Sequence, residues 1–237
     1  MLRFIHAADF HLDSAFAALT PRQAAARRRE SRELPVRLAN YVNQNNIDLI
    51  LLAGDLFDSA ASYRDTAEKL SAALGQMKAQ VYIAPGNHDW YGPGSPYLTV
   101  KWPENVHIFT QPRLEAMEWP EKNLVLHGAA FTHGEQADGF LTGFTAPADG
   151  KLHIGLLHGE IDPSEARYDS IRKEEIAASG LSYLALGHIH KRAEPLTYGG
   201  TVCAWPGCPE GRGFDELGEK GFYSGTIDDS GKISLTF

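Results

Sequence analysis

The apolar residues of this chain fall into short runs, and most of these runs end abruptly in polar turns. Residues 2–8 predict a buried first strand that breaks at Asp9. From 21 to about 46 the period turns helical, with Leu34, Leu38, Tyr41 and Val42 on one face; Pro35 should kink this segment or open a second helix. Residues 48–53 have strand length and stop at Gly54-Asp55. Residues 63–79 predict an amphipathic helix presenting Ala67, Leu70, Ala73, Leu74 and Met77. Residues 81–84 form the next strand, which leads through Pro85 into Gly86-Asn87-His88-Asp89. Strand and helix alternate, so an α/β layout with a largely parallel sheet is expected.

The second half is richer in strands, at 106–109, 114–119, 123–127, 152–157, 183–186, 202–205, 221–227 and 233–237. A helix is expected over 170–178. A stretch rich in Gly, Thr and Ala, from about 132 to 150, is long for a compact domain and predicts a mobile, functional loop. No repeat, linker or low-complexity tract interrupts the chain. The expectation is one domain over 1–237, with two sheets packed face to face and helices outside.

Composition changes this picture little. A chain of 237 residues with 43% hydrophobic and 22% charged residues can bury a core without disulfides. Its two cysteines, Cys203 and Cys208, lack a CxxC spacing and fit a reducing compartment. The N-terminus enters strand-like sequence directly, without a signal-like or membrane-spanning segment, so a cytoplasmic location and no membrane partner are expected. The net charge of −8 excludes the broadly basic footprint of a general nucleic-acid binder. Two divalent cations would leave −4, so a polyanion would have to be held by local patches and by those ions.

The chemistry sits at five strand ends: Asp9-Phe10-His11; Gly54-Asp55-Leu56-Phe57-Asp58; Gly86-Asn87-His88-Asp89; Leu157-His158-Gly159; and Gly187-His188-Ile189-His190. Carboxylate, imidazole and amide oxygen without thiolate suit divalent manganese, iron, zinc or nickel. On extended backbone, Asp-x-His and His-x-His put both side chains on one side. Two ions with open positions need about seven or eight protein ligands. Asp9, His11, Asp55, Asn87, His158, His188 and His190 supply seven, which leaves His88 and Asp89 for proton transfer and its orientation.

This set, in this order, resembles the calcineurin-like metallophosphoesterase superfamily, with its D-x-H, G-D-x-x-D, G-N-H-D/E, single H and G-H-x-H blocks. The resemblance covers residues 2 to about 209. It implies a four-layer α-β-β-α sandwich, with two mixed sheets and helices outside. It also implies that Asp9, His11 and His190 hold one metal, that Asn87, His158 and His188 hold the other, and that Asp55 bridges them. His88 would then protonate the leaving oxygen, positioned by Asp89, and Asp58 would support the ligands from behind. Two divalent ions, manganese first among them, would make water acidic enough to attack phosphorus near neutral pH and would neutralise charge on the phosphoryl oxygens.

The wording around residues 5–13 and 183–192, and the run Trp205-Pro206-Gly207-Cys208-Pro209-Glu210-Gly211-Arg212, is similar to bacterial DNA-repair exonucleases related to the SbcD nuclease subunit. Trp205, Cys208 and Glu210 depart from the usual Tyr, Asn and Gln of that run. Such nucleases continue into a capping region and a segment that docks on an ATPase; no such segment is evident up to Phe237, which leaves an ATPase partner open. The branch implies a DNA exonuclease or endonuclease. The alternatives are action on a small phosphodiester, a nucleotide or a phosphoprotein, and a weakly active metal-bound scaffold. Lys191, Arg192 and Arg212 are candidates for substrate contact, and Arg27, Arg28, Arg29 and Arg32 either contact phosphate or form a solvated helix face. Trp90, Tyr91 and Trp205 either pack or stack on bases. His6, His107, His127, His133 and His153 read as ordinary core or surface histidines.

Overall fold

A computed structural model of the chain describes residues 1–59, 63–165, 167–214 and 216–237. Two six-stranded sheets face each other. In chain order the elements are β1 (Leu2–Ala7), α1 (Pro21–Ser31), α2 (Leu34–Gln44), β2 (Leu49–Leu52), α3 (Arg64–Gly75), β3 (Gln80–Ile83), α4 (Pro96–Thr99), β4 (Val106–Ile108), β5 (Glu115–Trp119) and β6 (Leu124–Gly128). They continue with β7 (Leu152–His158), β8 (Glu160–Ile161), β9 (Ser170–Ile171), α5 (Lys173–Ala178), β10 (Tyr183–Gly187), β11 (Leu196–Tyr198), β12 (Thr201–Ala204), β13 (Tyr223–Ile227) and β14 (Ile233–Thr236). The first sheet has the order β14-β13-β1-β2-β3-β4 and the second β11-β12-β10-β7-β6-β5, while β8 and β9 pair separately. Both are mixed. β1 to β4 run parallel, as do β6, β7, β10 and β12, and the antiparallel strands lie at the margins. The expected architecture of two mixed sheets with helices outside is therefore present.

The period-2 alternation of the strands sorts their side chains into layers. Phe4, Leu49, Leu51, Ile154, Leu156, Tyr183 and Ala185 meet between the sheets. From the same strands, Ile5, Ile50 and Leu52 face the other way and pack on Leu38 and Val42 of α2 and Leu70 and Leu74 of α3. Leu184 and Leu186 point out of the second sheet towards Ile176 of α5 and towards Phe131, Phe140 and Leu141. The central strands are buried on both faces, which is why they read as unbroken apolar runs.

Of the two outcomes expected at Pro35 the second is found: the helical stretch after residue 21 is two helices, α1 opened by a capping box between Thr20 and Gln23, and α2 carrying Pro35 in its first turn, where no N–H is needed. Two expectations are corrected. The helix expected over 170–178 begins only at Lys173, because Ser170 and Ile171 pair with β8. The stretch 132–150 is not a free loop. Phe140 and Leu141 are buried, Phe140 N–H donates to Asp169 at 2.6 Å, and Ala146 N–H donates to Ser179 at 2.7 Å, so this segment covers the second sheet. Among the described residues no helix is long and apolar enough to cross a membrane.

Among the polar links between the sheets, one lies deep in the core. His6 of β1 is fully buried; its Nδ1 lies 2.8 Å from the Tyr183 hydroxyl and its Nε2 3.1 Å from the Leu186 carbonyl of β10. The carbonyl can only accept, so Nε2 carries the proton and Nδ1 accepts from Tyr183. Burial lowers its pKa to about 3, against which the Leu186 carbonyl works only in part. The folded state thus favours neutral His6. Its contribution to stability is complete above the unfolded value of about 6.5 and is lost as pH falls towards 3. Urea unfolding between pH 7 and 5 should therefore show a steeper loss of stability for the wild type than for His6→Leu. At pH 7 the same variant should be less stable by about 1–3 kcal/mol, because the Tyr183 hydroxyl is left unpaired.

Candidate metal centre

The parallel core strands bring their carboxyl ends to one edge, and all five polar motifs leave from there: after β1, β2 and β3 in the first sheet and after β7 and β10 in the second. Pairing does not stop where the strands do. Asp9 N–H donates to Gly54 O at 3.0 Å, His11 N–H to Asp55 O at 2.9 Å and Leu12 N–H to Leu56 O at 2.9 Å, so the first two motifs stay in register. Asp9, His11, Asp55 and His188 all sit at positive φ, at 55°, 44°, 51° and 90°. Side chains other than glycine rarely adopt that region, although Asp and His tolerate it better than most. The sheets meet closely at Gly187, where a Cβ would lie 1.8 Å from Ala53 O and 2.8 Å from His158 Nδ1.

Each of four histidines has one ring nitrogen committed to an acceptor outside the centre. His11 Nδ1 faces Asp58 Oδ1 at 3.1 Å, His158 Nδ1 faces Ala53 O at 2.8 Å, and His188 Nε2 faces Glu160 Oε1 at 2.8 Å. His190 Nδ1 faces Glu216 Oε1 at 2.7 Å; Arg212 also lies 2.9 Å from that nitrogen but is itself paired with Glu216 at 2.8 Å. Those nitrogens carry protons, so the other four face a shared space: those of His11, His188 and His190 present lone pairs, and that of His158 would do so once a cation replaced its second proton. There His11 Nε2 and His190 Nε2 are 3.0 Å apart, His158 Nε2 is 3.0 Å from Asn87 Oδ1, and His188 Nδ1 is 3.2 Å from the same oxygen. Asp55 Oδ2 stands between the groups, 3.3 Å from His158 Nε2 and 3.6 Å from His11 Nε2. Asp9 Oδ1 is 3.9 Å from His190 Nε2, and its buried Oδ2 has no hydrogen-bond partner.

Such spacings fit a cation. Ligands about 2.1 Å from one ion lie about 3.0 Å apart along an octahedral edge and about 3.4 Å apart along a tetrahedral one. Two neutral imidazoles facing each other through lone pairs at 3.0 Å, beside a buried carboxylate, repel without a positive charge between them. The electrostatics agree. Burial lowers the pKa of His11 and His190, and burial with the nearby His158 lowers that of His188 to about 3, so these three remain neutral donors. Asp9 is pushed up to about 7, first by burial and, against the pull of His158, by the Asp55 charge. Burial opposes charge on both Asp55 and His158, but their mutual attraction prevails: the carboxyl of Asp55 is held below the ordinary range and the His158 ring is raised to about 10. In the metal-free chain a proton on His158 offsets the negative charge that a cation would otherwise neutralise.

His88 differs from the other four. It is exposed, its Nδ1 lies 3.1 Å from the Asp58 carbonyl, and its ring stands 4.9 Å from that of His11. Asp89 does not position it. The buried Asp89 carboxylate accepts from Gly86 N–H at 2.8 Å, Leu56 N–H at 2.8 Å, Asp55 N–H at 3.2 Å, Phe57 N–H at 3.3 Å and the Tyr97 hydroxyl at 2.5 Å. Its work is to lock the β2 and β3 loops together, and His88 is instead aimed by the Asp58 backbone.

A family model for calcineurin-like phosphoesterases matches residues 2–192. The chain belongs to the calcineurin-like phosphoesterases. Over its whole length this phosphoesterase is 34% identical to the uncharacterized metallophosphoesterase YhaO of Bacillus subtilis, covering 60% of that protein. It is 23% identical to the DNA double-strand break repair protein Mre11 of Methanopyrus kandleri, across all of this chain and 56% of that one. It is also 23% identical to a subunit of the nuclease SbcCD of Bacillus subtilis, across 92% of this chain and 64% of that one. The phosphoesterase therefore spans less than two thirds of each of these relatives. The crystal structure of TT1561 of Thermus thermophilus shares its fold, with a TM-score of 0.55, 15% identity and coverage of 99% and 98%.

All seven candidate ligands of the phosphoesterase converge, as does Asp58 behind His11. The three basic candidates for substrate contact fare differently. Arg212 turns inward to Asp58, at 3.0 Å, and to Glu216. Arg192 pairs with Glu219 and Glu194 and lies 4.3 Å over the Phe237 ring. Lys191 remains exposed. Arg27, Arg28 and Arg32 hold local loops by bonding Gly211 O, Ala15 O and Asp13. Trp205 is buried and donates to Gly159 O and Gly187 O, so it packs. Sequence reasoning missed Glu160, Glu216 and Tyr97, since isolated Glu and Tyr residues carry no signal of the histidine or carboxylate they will meet. Asp89→Ala should unpair five donors and loosen both loops. Thermal unfolding in excess chelator, where no cation contributes, should show a loss of about 3 kcal/mol or more. An unchanged midpoint would contradict the locking role.

Proposed function

We infer that this phosphoesterase is a two-metal phosphodiesterase that cleaves nucleic acid, as a DNA exonuclease or endonuclease. The observation that carries the reading is the convergence of four imidazole nitrogens and the Asp9 carboxylate around Asp55, with a fifth histidine, His88, exposed at the rim beside His11 and Asp58 and with its Nδ1 turned to the Asp58 carbonyl. In this reading Asp9, His11 and His190 hold one divalent ion, Asn87, His158 and His188 the other, and Asp55 both. Nitrogen and oxygen donors without sulfur suit manganese and also admit iron, zinc or nickel. When bound, the ions supply Lewis acidity towards the phosphoryl oxygens and an acidified water.

The chain's own residues do the rest. Asp58, Glu160 and Glu216 fix the tautomers and aim the rings of His11, His188 and His190. Arg212 ties Asp58 to Glu216 and holds the backs of two ligands as one unit. His88 keeps Nδ1 on the Asp58 carbonyl and offers Nε2 to the leaving oxygen as general acid. The distant likeness to proteins named as a DNA-repair protein and a nuclease subunit supports nucleic acid as substrate.

Cleavage of an end-labelled single-stranded oligonucleotide should depend on added manganese and stop in chelator. Turnover of small aryl phosphodiesters without any oligonucleotide cleavage would move the function to a small phosphodiester. His88→Asn should retain both metals by elemental analysis and lose about 10²- to 10⁴-fold in kcat, least with good leaving groups. Asp55→Asn should lose metal itself, and a full complement of ions in that variant would contradict its bridging role.

A further inference from the structure

A groove of about 600 Å³ opens beside His88, lined by Asp58, Asn87, His88, Trp90, Pro93 and Tyr168. Two of its walls are aromatic, one just after the β3 loop and the other just before β9. The Tyr168 ring lies 4.8 Å from the His188 ring, which fixes it at the edge of the candidate metal centre. Trp90 is half-buried against the outer core of the second sheet, and Tyr91 N–H, bonded to Phe131 O at 2.7 Å, holds its segment in place. Both side chains are half-buried, and neither the Trp90 indole nor the Tyr168 hydroxyl has a hydrogen-bond partner among the described residues, so their polar ends face solvent and are open to whatever enters the groove. Among the described residues no lysine or arginine lines it, and Asp58 stands at one side. A second phosphate or an acidic peptide would meet no lysine or arginine there, whereas a neutral flat ring would meet two aromatic side chains.

We propose that Trp90 and Tyr168 hold the nucleobase of the leaving nucleoside. The proposal rests on the nucleic-acid reading and on His88 as proton donor. The leaving oxygen must face His88, so the group attached to that oxygen must run into the groove that begins there. Stacking is tolerant of base identity, since every base has a π-face, and it would place the leaving nucleoside without reading sequence.

An oligonucleotide in which one leaving nucleoside is replaced by an abasic tetrahydrofuran keeps the sugar and the leaving alcohol but removes the base. The wild type should cleave there with kcat/KM lower by about 10-fold, the size of one lost stacking contact. Trp90→Ala and Tyr168→Ala should each lower kcat/KM on the intact strand by a similar factor and no longer distinguish the abasic site. If both variants keep the full wild-type preference for the base, the proposal is wrong. Binding separates this failure from failure of the nuclease reading. Of deoxyadenosine 3′-monophosphate and deoxyadenosine 5′-monophosphate, the one whose ester oxygen is the leaving oxygen should quench tryptophan fluorescence saturably in the manganese-loaded protein, inorganic phosphate should not, and Trp90→Ala should lose the effect. A protein that shows this pattern but cleaves no oligonucleotide retains the aromatic clamp and loses the nuclease reading. Equal quenching in the wild type and Trp90→Ala, or none in either, overturns the clamp.

Discussion

The carboxylate of Asp89 is the constraint on which the site depends. It lies in the core with five donors aimed at it, four of them backbone N–H groups from two separate loops. Burial and the nearby Asp55 charge both resist its ionisation, while the Tyr97 hydroxyl and Gly86 N–H favour it. A charge buried at such cost persists only where it is fully satisfied, and satisfying it fixes both loops. Asp55 is then held where its Oδ1 accepts from His88 N–H at 2.9 Å and its Oδ2 faces the histidines. A glycine without a side chain lets the loops approach: a Cβ on Gly86 would stand 2.3 Å from Asp55 Oδ1.

Strain and order are concentrated in the same few residues. Four of the candidate ligands occupy left-handed backbone, each at a cost of order 1–3 kcal/mol in general, which the surrounding pairing must offset. The histidine tautomers are set from outside the centre by Asp58, Glu160, Glu216 and the Ala53 carbonyl. A centre prepared in this way needs little rearrangement to accept ions.

Much of this was legible in the sequence because the central strands are buried on both faces and end where the chemistry begins. Their apolar runs gave the sheets, and the types and order of the polar residues gave the seven convergent side chains. What was not legible has a common cause. Asp89 adjoins His88 in sequence, yet successive residues of a tight loop point apart, and its carboxylate turned to the core. Glu160 and Glu216 look like ordinary acids until folding places them, from 28 and 26 residues away, against His188 and His190. Arg212 is close to the site as expected, but it serves the acids behind the ligands. The stretch over 132–150 has no period to read, because it covers the second sheet with separate anchors such as Phe140 and Leu141.

The two sheets contribute unequally to the centre, with β1, β2 and β3 on one side and β7 and β10 on the other. Between them run mostly side-chain contacts and a few polar links, such as His6 to β10, rather than a hydrogen-bonded ladder. Ions held as proposed, by His11 or Asn87 from one sheet and His190 or His158 from the other, would brace that seam. Each site so occupied would add RT ln(1 + [L]/Kd) to the stability of the whole fold. The resistance of the protein to unfolding would then be a function of free cation concentration, and the sandwich itself would respond to the ions gathered at its polar edge.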